Sequence, residues 1–145
     1  MTTILASLKH KVMIGDSYTS SGGSGFSTVK VFQLEDGRLV GFSGHLTHGL
    51  KFIEWLKHGT MFKPHYDKEE HTFEALVMSN NGIQYYDNEL IPADVLEDVY
   101  AVGSGACYAL AAMDAGVSPK KAVEIAAGRD DGTGLPIVVL KLKGD

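Results

Sequence analysis

The 145 residues suffice for one domain with a packed core, and 44% hydrophobic against 21% charged residues is the balance of an ordinary globular chain. Thirteen basic against 18 acidic residues give a net charge of −5 without a basic block, which argues against nucleic acid or an anionic membrane as partner. A single cysteine, Cys107, excludes an internal disulfide and fits a reducing cytosol; no leader pattern and no apolar run of bilayer length is read in the sequence.

Residues 2–8 alternate small or polar with apolar side chains and predict a strand. Lys9-His10-Lys11 is a polar turn, and residues 12–14 form a second strand ending at Gly15-Asp16. Ser20-Ser21-Gly22-Gly23-Ser24-Gly25 reads as a flexible loop. Residues 28–34 and 38–43 predict strands joined by the Glu35-Asp36-Gly37 turn. A helix over 47–58 takes its apolar stripe from Leu46, Leu50, Ile53, Trp55 and Leu56, and Gly59 ends it. Residues 60–73 are polar and read as an exposed loop. A hairpin over 73–78 and 83–86 turns at Asn80-Asn81-Gly82. A short strand at 99–102 runs into Gly103-Ser104-Gly105 and a helix over 106–115 that Gly116 closes. Ser118-Pro119 supplies an N-cap and a first-turn proline for a third helix reaching about 127, and 136–142 is a closing strand. The order of elements is that of an α+β layered domain occupying residues 1–145, without internal repeat or linker.

Thr2 has chemical potential because of its position. Removal of Met1 would give one residue both a hydroxyl nucleophile and its own base, a free α-amine with an ordinary pKa of about 7.7–8.0. Downstream stand Gly15-Asp16, Lys30, Gly41-Phe42-Ser43-Gly44, Gly103-Ser104-Gly105 and Arg129-Asp130-Asp131-Gly132-Thr133-Gly134. In that order these motifs resemble the peptidase subunits of the proteasome family, the proteasome β subunits and the bacterial HslV-type subunit, over residues 2 to about 140. Thr133 stands where that family has serine.

The resemblance implies a four-layer αββα sandwich of the N-terminal-nucleophile hydrolase type, here with a reduced helical layer, because only one helix fits between Gly44 and Gly103. Thr2 is then expected at the start of a central strand, with Lys30 on a neighbouring strand pointing at it. It also implies a threonine-type peptide or amide hydrolase that needs no cofactor. Thr2 would be the nucleophile, and Lys30, paired with Asp16, would favour its ionised hydroxyl. The Gly44 N–H would face the oxyanion, and Ser104, Asp130 and Thr133 would orient the α-amine. Leu46 would line the specificity pocket, and Ser20 would lie where an extended substrate pairs with the backbone. A homo-oligomer follows from the same resemblance, with any unfoldase partner open, in the cytoplasm of a bacterium or of a phage-infected host.

The residues taken singly have plainer readings. Lys30 between Val29 and Val31 is a solvent-facing strand lysine, Asp16 a turn residue, Ser104 a helix N-cap, and Asp130 and Asp131 a solvated turn. On those readings the chain is a catalytically inactive proteasome-like fold acting as a binding or scaffold protein. His45 and His48 share a helix start, but no further ligand has suitable spacing and no metal site is expected. Cys107 within an apolar helix reads as a core residue, and Trp55, Tyr85 and Tyr86 as packing residues.

Overall fold

The computed structural model describes residues 2–21, 23–59, 64 and 72–143. β1 (Ile4–Ser7) and β2 (Val12–Gly15) form a hairpin in which Ile4 faces Gly15 and Ser7 faces Val12. β3 (Tyr18–Ser21) and β4 (Ser24–Ser27) make a small hairpin of their own. β5 (Val31–Gln33) and β6 (Leu39–Gly44) lead into α1 (Leu46–His58). β7 (Phe73–Ser79), β8 (Gly82–Tyr86), β9 (Ala93–Val95) and β10 (Val99–Val102) precede α2 (Ala106–Asp114), α3 (Pro119–Arg129) and β11 (Val138–Lys141).

Two antiparallel sheets dominate. One has the order β10-β1-β2-β11, the other β5-β6-β7-β8-β9. Residues alternate across each strand, so both sheets are buried on both faces. Ile4, Met13, Leu39, Leu76, Met78 and Val102 fill the space between the sheets. The opposite face of the five-stranded sheet, with Val40, Phe42, Phe73 and Val77, packs on Phe52 and Ile53 of α1. The opposite face of the four-stranded sheet, with Leu5, Ile14 and Ala101, packs on the alanines of α2 and α3. The layers are therefore helix, sheet, sheet, helices, as expected. Among the described residues α1 is the only helix on its side.

Local chemistry explains the helix boundaries. Gly59 takes the left-handed conformation and its N–H returns to the Trp55 carbonyl, closing α1. Ser118 caps α3 by accepting from the Lys121 N–H, with Pro119 in the first turn. Gly49 is where α1 touches its sheet: a Cβ there would lie 2.1 Å from the Phe42 ring.

Four expectations need correction. Ser20-Ser21 and Ser24-Gly25, expected within a flexible loop, are paired arms of the β3–β4 hairpin. Its backbone pairing is supported by the Tyr18 ring, which occupies the space over Gly25. β9 was not expected; it is a short edge strand with exposed Ala93 and Asp94, too polar to show a pattern. Cys107 is exposed, not core. α2 is apolar nearly all round, and the stripe that meets the sheet is Ala106, Ala109 and Ala112. Lys30 precedes β5 and belongs to the opposite sheet from Thr2, not to a strand neighbouring β1. The loop expected over 60–73 falls mostly outside the described residues.

Candidate active site

Thr2 lies two residues ahead of β1, an inner strand of the four-stranded sheet, and not within it as expected; it is 2% exposed. Its carbonyl accepts from the Gly105 N–H at 3.2 Å. Gly103 has φ +102, and a Cβ there would sit 2.0 Å from the Thr2 oxygen, so only glycine lets β10 pass this closely before α2 begins.

Asp16 follows β2 and is fully buried. Three backbone N–H groups donate to its carboxylate: Thr3 at 3.2 Å, Tyr18 at 3.2 Å and Gly134 at 2.9 Å. Lys30 reaches across from the other sheet. It is 4% exposed, and its Nζ donates to Asp16 Oδ1 at 3.1 Å, to Thr2 Oγ1 at 2.7 Å and to the Tyr18 carbonyl. Burial pushes the Lys30 ammonium below its ordinary pKa of 10.5, and the Asp16 carboxylate opposes that shift. The plain reading of Lys30 as a solvent-facing lysine and of Asp16 as a turn residue is therefore wrong: they are a buried ion pair with the Thr2 hydroxyl on its cationic end.

A second chain of hydrogen bonds starts at the Thr2 nitrogen. It donates to Ser104 Oγ at 3.2 Å, and Ser104 Oγ donates to Asp130 Oδ2 at 2.6 Å. Thr133 Oγ1 also donates to Asp130 Oδ2 at 2.6 Å. Because that bond uses the Thr133 proton, Thr3 is the donor in the 2.7 Å contact between the two threonine hydroxyls. Burial raises the Asp130 pKa, but the Ser104 and Thr133 hydroxyls, the Gly132 backbone N–H and the N-terminal charge together outweigh it and leave the carboxyl below its ordinary value. Asp130 also caps the end of α3.

The sequence-predicted residues thus converge from five elements, with three exceptions. Gly44 closes β6 at φ +107, where a Cβ would lie 2.1 Å from the Thr72 carbonyl, so its special conformation is real. Ser20 lies exposed in β3, paired with Gly25. Leu46 opens α1 half-buried against the helix–sheet core. Sequence reading missed Thr3 and the Tyr18 carbonyl. Neither carries a signal, because a backbone oxygen and an unremarkable threonine acquire their roles only through the fold. Among the described residues no group of His, Cys, Asp or Glu is arranged to hold a metal ion; the His45 and His48 rings meet tilted at 44°, with centroids 4.5 Å apart.

No family model matches the chain, and no curated protein matches its sequence. Solved structures do. HslV from Trypanosoma brucei superposes with a TM-score of 0.74 at 21% identity, covering 97% of this chain and 99% of that one. The fold is that of HslV. BPH from Thiobacillus denitrificans, solved in complex with epoxomicin, gives a TM-score of 0.71 at 22% identity over 99% of this chain and all of the other. A second BPH structure gives 0.67 at 20% identity, covering 99% of both chains. In this HslV-type fold Thr2, ahead of a strand of one sheet, and Lys30, ahead of a strand of the other, come within hydrogen-bond distance.

Proposed function

We propose that the chain is a threonine-type N-terminal-nucleophile hydrolase of peptides or other amides, with Thr2 as nucleophile once Met1 is removed. The observation that carries the reading is the Lys30 ammonium 2.7 Å from the Thr2 hydroxyl oxygen, locked in a buried ion pair with Asp16. A lysine is placed there only at a desolvation cost, and a cation at a hydroxyl oxygen favours the alkoxide.

With Met1 gone, the Thr2 α-amine occupies the place of the nitrogen that Ser104 and Asp130 hold. Thr2 Oγ1 attacks the amide carbon while its proton passes to the α-amine, directly or through one water. The carbonyl oxygen becomes an oxyanion toward the Gly44 N–H. Collapse breaks the C–N bond, and the α-ammonium returns the proton to the leaving amine. The acyl ester on Thr2 is then cleaved by water, with the α-amine again as base. Ser104 and Asp130 position that amine, while Thr133 positions Asp130. Self-association belongs to the same reading, and light scattering of the native protein tests it separately.

The decisive experiment pairs mass spectrometry of the natively produced N-terminus with a peptide-hydrolysis assay of Met1-free protein. A chain beginning at Thr2 that hydrolyses peptides, and loses turnover in Thr2→Ala, is expected. A native chain that keeps Met1, or Met1-free protein without turnover, would overturn the reading and leave a scaffold protein on the HslV-type fold.

A further inference from the structure

The inner face of the five-stranded sheet carries, opposite Ser43, a carboxylate that the hydrolytic machinery does not use. In β7, Phe73, Ala75 and Val77 pack toward α1, while Leu76 and Met78 face the other sheet. By alternation Glu74 faces the other sheet too, at the end of that row. It stands directly opposite Ser43 of β6. Ser43 Oγ and the Thr2 carbonyl crowd the same point above Gly103, at 3.1 and 2.0 Å from where its Cβ would be. Glu74 is therefore one cross-strand neighbour away from the residue beside Thr2.

Two tyrosines stand with it. Tyr85 of β8 donates its hydroxyl to Glu74 Oε2 at 2.9 Å. Tyr100 of β10 meets the Tyr85 ring edge to face, with centroids 6.4 Å apart. All three are half-buried. Among the described residues no lysine, arginine or histidine forms an ion pair with Glu74. The Tyr85 hydroxyl titrates well above its ordinary value, through burial first and then the Glu74 carboxylate. A half-buried carboxylate at the end of a largely apolar row, bonded to one tyrosine hydroxyl with a second aromatic ring behind it and with no ion-pair partner among the described residues, has the chemistry of a receptor for an ammonium or guanidinium group.

We propose that Glu74, with Tyr85 and Tyr100, is a specificity site that takes a lysine or arginine side chain of the substrate flanking the bond presented to Thr2. The proposal rests on the hydrolase reading for its substrate, but its test is a binding measurement that does not. Thr2→Ala protein, which cannot turn over, is titrated with labelled peptides that carry arginine, or its neutral isostere citrulline, at each position in turn. Fluorescence anisotropy reads the dissociation constants. At one position the arginine peptide is expected to bind about tenfold tighter than the citrulline peptide, the scale of one charge-assisted contact. Glu74→Gln in that background should abolish the difference without weakening the citrulline peptide. Glu74→Lys should invert it toward a glutamate-bearing peptide. Equal binding of arginine and citrulline at every position, no binding of either, or a preference that survives Glu74→Gln would overturn the proposal. An arginine preference in protein whose Met1-free form hydrolyses nothing would remove the hydrolase reading and leave the cation site standing.

Discussion

Lys30→Met separates the chemistry of the site from its architecture. Methionine keeps most of the aliphatic stem and removes only the ammonium, so little cavity is created. What is lost is the donor to Thr2 Oγ1, to Asp16 and to the Tyr18 carbonyl. Asp16 would remain buried without its cation, and breaking such a pair costs about 3–5 kcal/mol. Three backbone N–H groups still hold its carboxylate, which puts the expectation at the low end, about 3 kcal/mol. Turnover should fall by about 10²–10³ in Met1-free protein, the scale for removing one preorganised charge-stabilising donor. Adding Asp16→Asn should restore part of the stability, because no buried charge is then left alone, but none of the turnover. The assays are urea unfolding and peptide hydrolysis on the same preparations. Turnover surviving in folded Lys30→Met protein would refute the role of the ammonium. A stability change within about 0.5 kcal/mol, as for an ordinary surface substitution, would refute the buried pair itself.

Two further outcomes follow from the geometry. Asp130 has its carboxyl held below the ordinary value of 3.8, so the stability it contributes is fully present above that pH and is lost as pH falls through the lowered value. Asp130→Asn should flatten that part of the acid-unfolding curve, and an unchanged curve would contradict the Ser104–Asp130–Thr133 arrangement. Gly103→Ala should destabilise strongly, since φ is +102 and its Cβ would strike the Thr2 carbonyl, whereas Gly128→Ala on the exposed side of α3 meets nothing within 4 Å and should stabilise by about 0.5–1 kcal/mol. Thermal melts compare the two, and similar shifts would mean that β10 does not pass Thr2 as described.

What the sequence showed and what it hid have one physical cause. Most strands, the β7–β8 hairpin and the helix ends were legible because alternation and turn residues act locally: Gly59 and Ser118 do their work within one helical turn. Lys30 was hidden because its reason for burial lies elsewhere in the fold. Strand alternation put it in solvent between two valines, yet Val29 is 50% exposed and Lys30 4%, since Asp16 waits for it at the end of another strand. Ordered motifs, not pattern, made that pairing readable. The β3–β4 hairpin was hidden for the opposite reason: serines and glycines carry no apolar period, and its strands are held by backbone bonds and one tyrosine ring. Lys30 and Glu74 share the trait that separates site from scaffold. Each is a charged residue that the fold sets where its neighbours form the core, Lys30 beside Val31 and Glu74 in the row of Leu76 and Met78. A fold retains such a residue only where a partner offsets its desolvation. For Lys30 that partner is Asp16, within the chain; for Glu74 the Tyr85 hydroxyl satisfies one oxygen and leaves the charge for a cation from outside.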